Sequence, residues 1–199
     1  MPPTTLIALA RRIAASNALD PALVCAVIEQ ESSWNPCAMR YEPAFFGRYV
    51  APLYTNNKIN ATEAWARGFS WGLMQVMGQV AREHGFLAAE HPFLSELCDP
   101  EQGIAVGCRV LSSKLALAAN DFPRNAPAAA PQGNVIPSGG ARISSSVPVQ
   151  STGTWRHGVE ESLPVSPDPA LLTHALLLWN GGGNPNYPAQ VLVRLPRYA

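Results

Sequence analysis

The chain has 199 residues, 47% of them hydrophobic and 14% charged, and a formal net charge of zero. That balance suits one globular domain with a buried core, or one domain plus a flexible piece. With no charge excess there is nothing to draw a nucleic acid or another polyanion, so an uncharged polymer or a small molecule is the expected partner.

The run from Thr4 to Arg12 is apolar first and basic after, the reverse of a signal peptide, and predicts an amphipathic helix over 4–16. No stretch approaches the roughly 20 apolar residues of a membrane span. Three Asp-Pro pairs (Asp20-Pro21, Asp99-Pro100, Asp168-Pro169) each precede an apolar periodic run. Aspartate as N-cap and proline in the first helical turn predict helices near 21–34, 100–118 and 169–179. Asn60 with Glu63 three residues on reads as a capping box for a short helix over 61–67, and Glu63 is assigned to that cap. A helix over 72–84 is predicted with Leu73, Val76, Met77 and Val80 as its buried stripe, and a last one after Pro188. The apolar run Leu171–Leu178 is expected to be central. No alternating strand stands out. The fold class expected is mainly α.

Residues 120–167 differ in kind, holding seven prolines, seven serines and five glycines among few large apolar side chains. Such a stretch cannot build a core and reads as a flexible insertion interrupting a single domain spanning 1–199. Cys25, Cys37, Cys98 and Cys108 form no Cys-x-x-Cys pair, and no histidine stands at ligand spacing, which argues against zinc. All four are read as buried thiols, and neither a metal nor another cofactor is expected.

The sharpest feature is Glu31. Val24, Val27, Ile28 and Glu31 share one face of the 21–34 helix, while Glu29 falls on the opposite, solvated side. A carboxylate on a buried face costs free energy. Pro36 ends the helix within a turn, so apolar surroundings and the negative helix end both act to keep Glu31 protonated, as a general acid requires. Trp34, one turn on, offers an apolar wall and a flat surface for a sugar ring. Periodicity alone leaves two readings: an acid catalyst, or a carboxylate that bends to solvent or bonds Ser32 or Ser33.

Gln30-Glu31-Ser32-Ser33-Trp34-Asn35-Pro36 resembles the first motif of the soluble lytic transglycosylase catalytic domain, within the lysozyme-like superfamily. Ser70-Trp71-Gly72-Leu73-Met74-Gln75-Val76 is similar to its second, Gly-Leu-Met-Gln. Leu178-Trp179-Asn180, before Gly181-Gly182-Gly183, resembles its third, usually Ala-Tyr-Asn-x-Gly. The three stand in family order. The resemblance implies a lysozyme-like α+β superfold with a substrate groove, in which a single glutamate, here Glu31, cleaves the β-1,4 bond between N-acetylmuramic acid and N-acetylglucosamine in peptidoglycan. Glu31 would protonate the glycosidic oxygen, then take the muramic acid 6-hydroxyl proton, leaving a 1,6-anhydro sugar. It also implies substrate contacts at Ser32, Trp34, Trp71, Gly72, Met74, Gln75, Trp179 and Asn180.

Several of those residues have a plainer reading beside the implied one. Met74 suits a core, Gln75 a solvated helix face, and Asn180 a cap on the preceding helix. The family's third motif normally supplies a tyrosine hydroxyl to the glutamate, where this chain has Trp179. Either the indole donates to Glu31, or Tyr187, Tyr41 or Ser32 replaces the hydroxyl. The aromatic-rich segment 37–69 either lines the groove or packs beneath it. Glu42 is the one nearby candidate for a second carboxylate, as a hydrolysing, goose-type-lysozyme-like muramidase would need, and is otherwise solvated or salt-bridged. A non-catalytic wall-binding module is the third reading. A monomer is expected, acting in periplasm or cell wall and delivered by a phage lysis or virion route or a secretion-associated one.

Overall fold

The computed structural model describes residues 3–125 and 168–199. Helix α1 (Thr4–Ser16) packs against α2 (Pro21–Ser32). A short strand β1 (Met39–Tyr41) leads into a helical stretch built from α3 (Pro43–Phe45), five π-helical residues Phe46–Val50, and α4 (Ala51–Thr55). Then come α5 (Ala61–Arg67), strands β2 (Phe69–Trp71) and β3 (Val76–Met77), and α6 (Gly78–Glu83). A 3₁₀ turn, Leu94–Cys98, precedes the long α7 (Pro100–Asn125). After the insertion the chain returns as α8 (Pro169–Trp179) and α9 (Tyr187–Leu192), and ends in a short 3₁₀ turn, Leu195–Arg197. The mainly helical expectation holds.

The caps behave as the sequence predicts. Asp20 accepts from the Ala22 amide at 2.8 Å and Asp168 from Ala170 at 2.7 Å, each closing a helix start that proline has already shaped. The most central helix, however, is α2. Every residue from Ala22 to Ile28 is buried, whereas α8 fully buries only Leu172, Ala175 and Leu176. Helix α7 runs to Asn125, so the first residues assigned to the insertion are helical, and 126–167 lie outside the described residues.

Two expectations fail together at 69–77. This stretch forms a small antiparallel sheet in the order β1-β2-β3, pairing Arg40 with Ser70 and Ser70 with Met77, so the helix begins only at Gly78. Strands of two or three residues are too short to show a period of two, and the turn between them borrowed the helical spacing of Leu73 and Val76. Gly72 is the residue that decides it. Its φ is +69°, and a Cβ there would lie 2.2 Å from the Leu97 carbonyl oxygen.

Glu63 is not a cap. Asn60 does accept from the Glu63 amide at 2.8 Å, but the Glu63 carboxylate turns away to Arg67 and Arg82, each 2.8 Å from Oε1. Arg82 is buried and donates also to the carbonyls of Phe86 and His91, which ties α5, α6 and the following loop into one cluster. Of the four cysteines, all free, Cys25 and Cys108 are buried, and burial pushes their thiols up to about 11 and about 12. Cys98 is half-buried, and Cys37, beside the Asn35-Pro36 turn, is exposed, contrary to its reading as a buried thiol. Among the described residues no helix is long and apolar enough to cross a membrane.

Candidate active site

Helix α2 carries Glu31 to the edge of the core. The helix is buried through Ile28, Glu31 in its last turn is half-buried, and the chain then leaves through two consecutive left-handed residues, Ser33 (φ 50°) and Trp34 (φ 67°). Side-chain-bearing residues adopt that geometry at a cost of about 1–3 kcal/mol each and hold it only where surroundings enforce it. Gln75, in the turn after Gly72, is a third such residue (φ 49°). Three of the five non-glycine residues with positive φ among the described ones thus fall in the first two motifs, Ala18 and Asn57 being the others.

Two side chains from the far end of the sequence meet Glu31. Trp179 at the end of α8 donates its indole N–H to Oε1 at 2.8 Å, and Tyr187 at the start of α9 donates its hydroxyl to the same oxygen at 2.5 Å. Oε2 has no protein donor among the described residues. Burial raises the Glu31 pKa. The bonds from Tyr187 and Trp179 pull it down and Arg40 does so weakly, while Glu42 pushes it up, and burial wins. A proton on Glu31 belongs on Oε2, because Oε1 is already spent as a double acceptor.

Glu31 opens onto a cleft of about 720 Å³. One wall comes from β1, α3 and the π-helical stretch, with Glu42 between the first two (Arg40, Glu42, Phe45, Arg48, Tyr49). Another comes from the β2–β3 hairpin with α6 and α7 (Ser70, Gln75, Val80, Glu83, Lys114), and a third from the end of α8 (Leu178, Trp179, Asn180). The Phe45 and Tyr49 rings pack 4.8 Å apart. Glu42 lies on this cleft with Arg40 Nε 2.5 Å from its Oε1, so its charge is matched at once by a neighbour. Among the described residues no group of histidines, cysteines and carboxylates could hold a metal ion.

The predicted site residues divide into those on the cleft and those beneath it. Glu31, Glu42, Gln75, Trp179 and Asn180 line it, and Tyr187 reaches it through Glu31. Gln75 also braces the hairpin, donating to the Ala38 and Gly72 carbonyls and accepting from Ser70, all at 2.9 Å. The Asn180 amide, oriented by its hydrogen bonds, accepts from the Asn184 and Gly183 N–H groups and pins the glycine loop. Trp34, Trp71 and Met74 are buried under the cleft. Trp34 donates to the Tyr198 hydroxyl, Trp71 to the Ala66 carbonyl, and Met74 fills the space that Gly107 leaves on α7. Ser32 bonds back to the Ile28 carbonyl at 3.2 Å. Tyr41 packs among Phe46, Trp65 and Phe69.

Sequence reasoning missed the cations Arg48 and Lys114 on the cleft, and Tyr198 behind Trp34. Adjacency of Arg40 and Glu42 was a usable signal for that pair. Lys114 stands in a plain helical stretch and offered none.

A helical domain that opens a cleft onto a carboxyl whose pKa burial raises has the equipment of an acid–base enzyme. The family comparison gives that class its identity. Residues 8–130 match the transglycosylase SLT domain, and the chain belongs to that family of catalytic transglycosylases acting on peptidoglycan. The matched span takes in Glu31 and the Gly72–Gln75 turn and ends before Trp179 and Tyr187. No curated protein and no solved structure matches the chain.

Proposed function

We propose that the protein is a lytic transglycosylase that cleaves the β-1,4 bond between N-acetylmuramic acid and N-acetylglucosamine with Glu31 as its one catalytic group. The observation that carries this reading is a half-buried carboxyl on a cleft, with Oε1 fixed by two donors and Oε2 without a protein donor among the described residues. Glu31 Oε2–H protonates the glycosidic oxygen as the bond to the anomeric carbon breaks. The carboxylate so formed is stabilised by the Trp179 and Tyr187 donors. It then takes the proton from the muramic acid 6-hydroxyl as that oxygen attacks the anomeric carbon. The product is the 1,6-anhydro sugar, no water enters, and Glu31 ends protonated again.

Glu42 favours a second reading, hydrolysis, because it lines the same cleft. Arg40 engages only Oε1 of Glu42, so Oε2 keeps a lone pair for water, and product mass decides between the two readings. Single-domain organisation is supported by the way the acid comes from one side of the insertion and its two donors from the other. We propose that the protein acts in the periplasm or cell wall, where peptidoglycan lies, reached by a phage lysis or virion route or a secretion-associated one.

Mass analysis of soluble muropeptides after digestion of purified sacculi tests this. Products lacking one water relative to reducing-end muropeptides are expected, and none from Glu31→Gln. Reducing-end products would replace transglycosylation with hydrolysis, and undiminished lysis by Glu31→Gln would remove Glu31 from the mechanism.

A further inference from the structure

The left-handed pair Ser33 and Trp34 sits directly behind Glu31, and the groups that enforce it come from the end of the chain. The Tyr198 hydroxyl accepts from Trp34 Nε1 at 2.9 Å and donates to Glu29 Oε2 at 2.9 Å. A single oxygen atom thus joins the residue two before Glu31 to the residue three after it. The Tyr198 and Trp34 rings also pack at 5.8 Å, and Tyr198 is itself buried. Its backbone carbonyl accepts from Arg11 on α1 at 2.6 Å, while Arg197 donates to the other oxygen of Glu29. Gln30 on α2 donates to Gln190 on α9 at 3.2 Å. The segment that supplies Tyr187 to Glu31 therefore also grips α2 on both flanks of that residue.

We infer that the Tyr198 hydroxyl is a positioning group for the reaction: by bridging Glu29 and Trp34 it fixes the helix exit that aims Glu31 at Tyr187, Trp179 and the cleft. This rests on the reading of Glu31 as the catalytic acid. The turn is held by over-determination. A strained turn relaxes unless its neighbours define it, and relaxation here would turn the last residues of α2, Glu31 among them, relative to donors that come from other helices. The contacts of Tyr198 run to the sequence neighbours of Glu31 and not to Glu31 or the cleft, so substrate binding should not depend on it.

Tyr198→Phe removes the hydroxyl and keeps the ring on Trp34. Transglycosylation on sacculi should fall in kcat by about tenfold, as expected for one lost positioning contact, with KM within about twofold. The alkaline limb of the kcat/KM profile should move to lower pH, because a Glu31 freed to reach water loses part of the burial that raises its pKa. Trp34→Phe, which deletes the donor on the other side of the same oxygen, should reproduce the shift. A variant that only loses melting temperature, with kcat and the alkaline limb unchanged below the melt, would overturn the inference, as would a loss confined to KM. Glu31→Gln run alongside separates the two levels. If it stays active, the reading of Glu31 fails; if it is inactive and Tyr198→Phe is normal, only the role of Tyr198 fails.

Discussion

The protein holds two partly buried glutamates about which opposite environments have been built. Glu31 meets an indole and a phenol, both neutral donors, and burial leaves its pKa raised. Burial also acts to raise Glu63, but hydrogen bonds and charges from Arg82 and Arg67 outweigh it and leave that carboxyl below the ordinary range. The number of donors is similar in the two places, and what differs is whether they carry charge and how deeply the carboxyl is buried. Neutral donors fix a carboxyl in space and let it keep a proton, while cations fix it and take the proton away. One arrangement makes an acid and the other makes a brace.

The largest expected effect breaks that symmetry in function. Glu31→Gln should lower transglycosylation by about a thousandfold, since it removes the proposed acid itself. Glu63→Gln should leave kcat of the folded fraction nearly unchanged. Release of soluble muropeptides per mole of folded protein, with folding followed by circular dichroism, checks both.

Next comes stability. Arg82→Met strands Glu63 beside Arg67 alone and deletes the bonds to Phe86 and His91. Removing one partner of a buried ion pair costs about 3–5 kcal/mol, and with Arg67 retained about 3 is expected. Urea unfolding should show a lower midpoint with an unchanged slope. A shift below about 1 kcal/mol would mean that the cluster behaves as an exposed pair.

The comparison also shows what the sequence could carry. Glu31 was legible because it broke a helical stripe, and the motifs at 70–76 and 178–180 marked which segments gather round it. The Asp-Pro caps named three helix starts because their signal is local. The β2–β3 hairpin was hidden, since its strands are shorter than any period and its turn depends on the carbonyl of Leu97, which is distant in sequence. Glu63 was misread for the same reason. Its spacing to Asn60 is a local signal, whereas Arg82 reaches it only through the tertiary fold. Trp179 and Tyr187 were both legible as candidates, yet their sharing of one oxygen, Oε1, is a matter of tertiary geometry.

Tyr187→Phe sharpens the neutral-donor side. It deletes the shorter of the two bonds to Oε1 and leaves Trp179 in place. Because that bond strengthens as Glu31 ionises, its loss should lower kcat by about tenfold and move the alkaline limb of the activity profile upward, with the Glu31 acid held more firmly. This is the opposite direction to Tyr198→Phe. The two variants therefore distinguish a donor that stabilises the anion from a contact that only aims the acid.

The smallest effect is on the pH dependence of folding. Glu31 has a folded pKa above its unfolded value of about 4.3, so its contribution is fully present below that value and is lost as pH rises through its elevated folded pKa. Glu63 has the reverse sign: its contribution is present above the ordinary carboxylate value and fades as pH falls through its depressed one. Glu31→Gln cannot titrate. Its stability relative to the native chain should therefore climb across the window between the ordinary carboxylate value and the raised pKa of Glu31, then level off. Glu63→Gln should lose stability relative to the native chain as pH rises from the depressed pKa of folded Glu63 to the ordinary carboxylate value, and level off above that value, where the carboxyl is ionised in the unfolded chain as well. Urea midpoints measured every half pH unit for the three proteins should give difference curves of opposite slope. Parallel curves would mean that the two carboxyls sit in equivalent electrostatic surroundings, and the distinction between the acid and the brace would collapse.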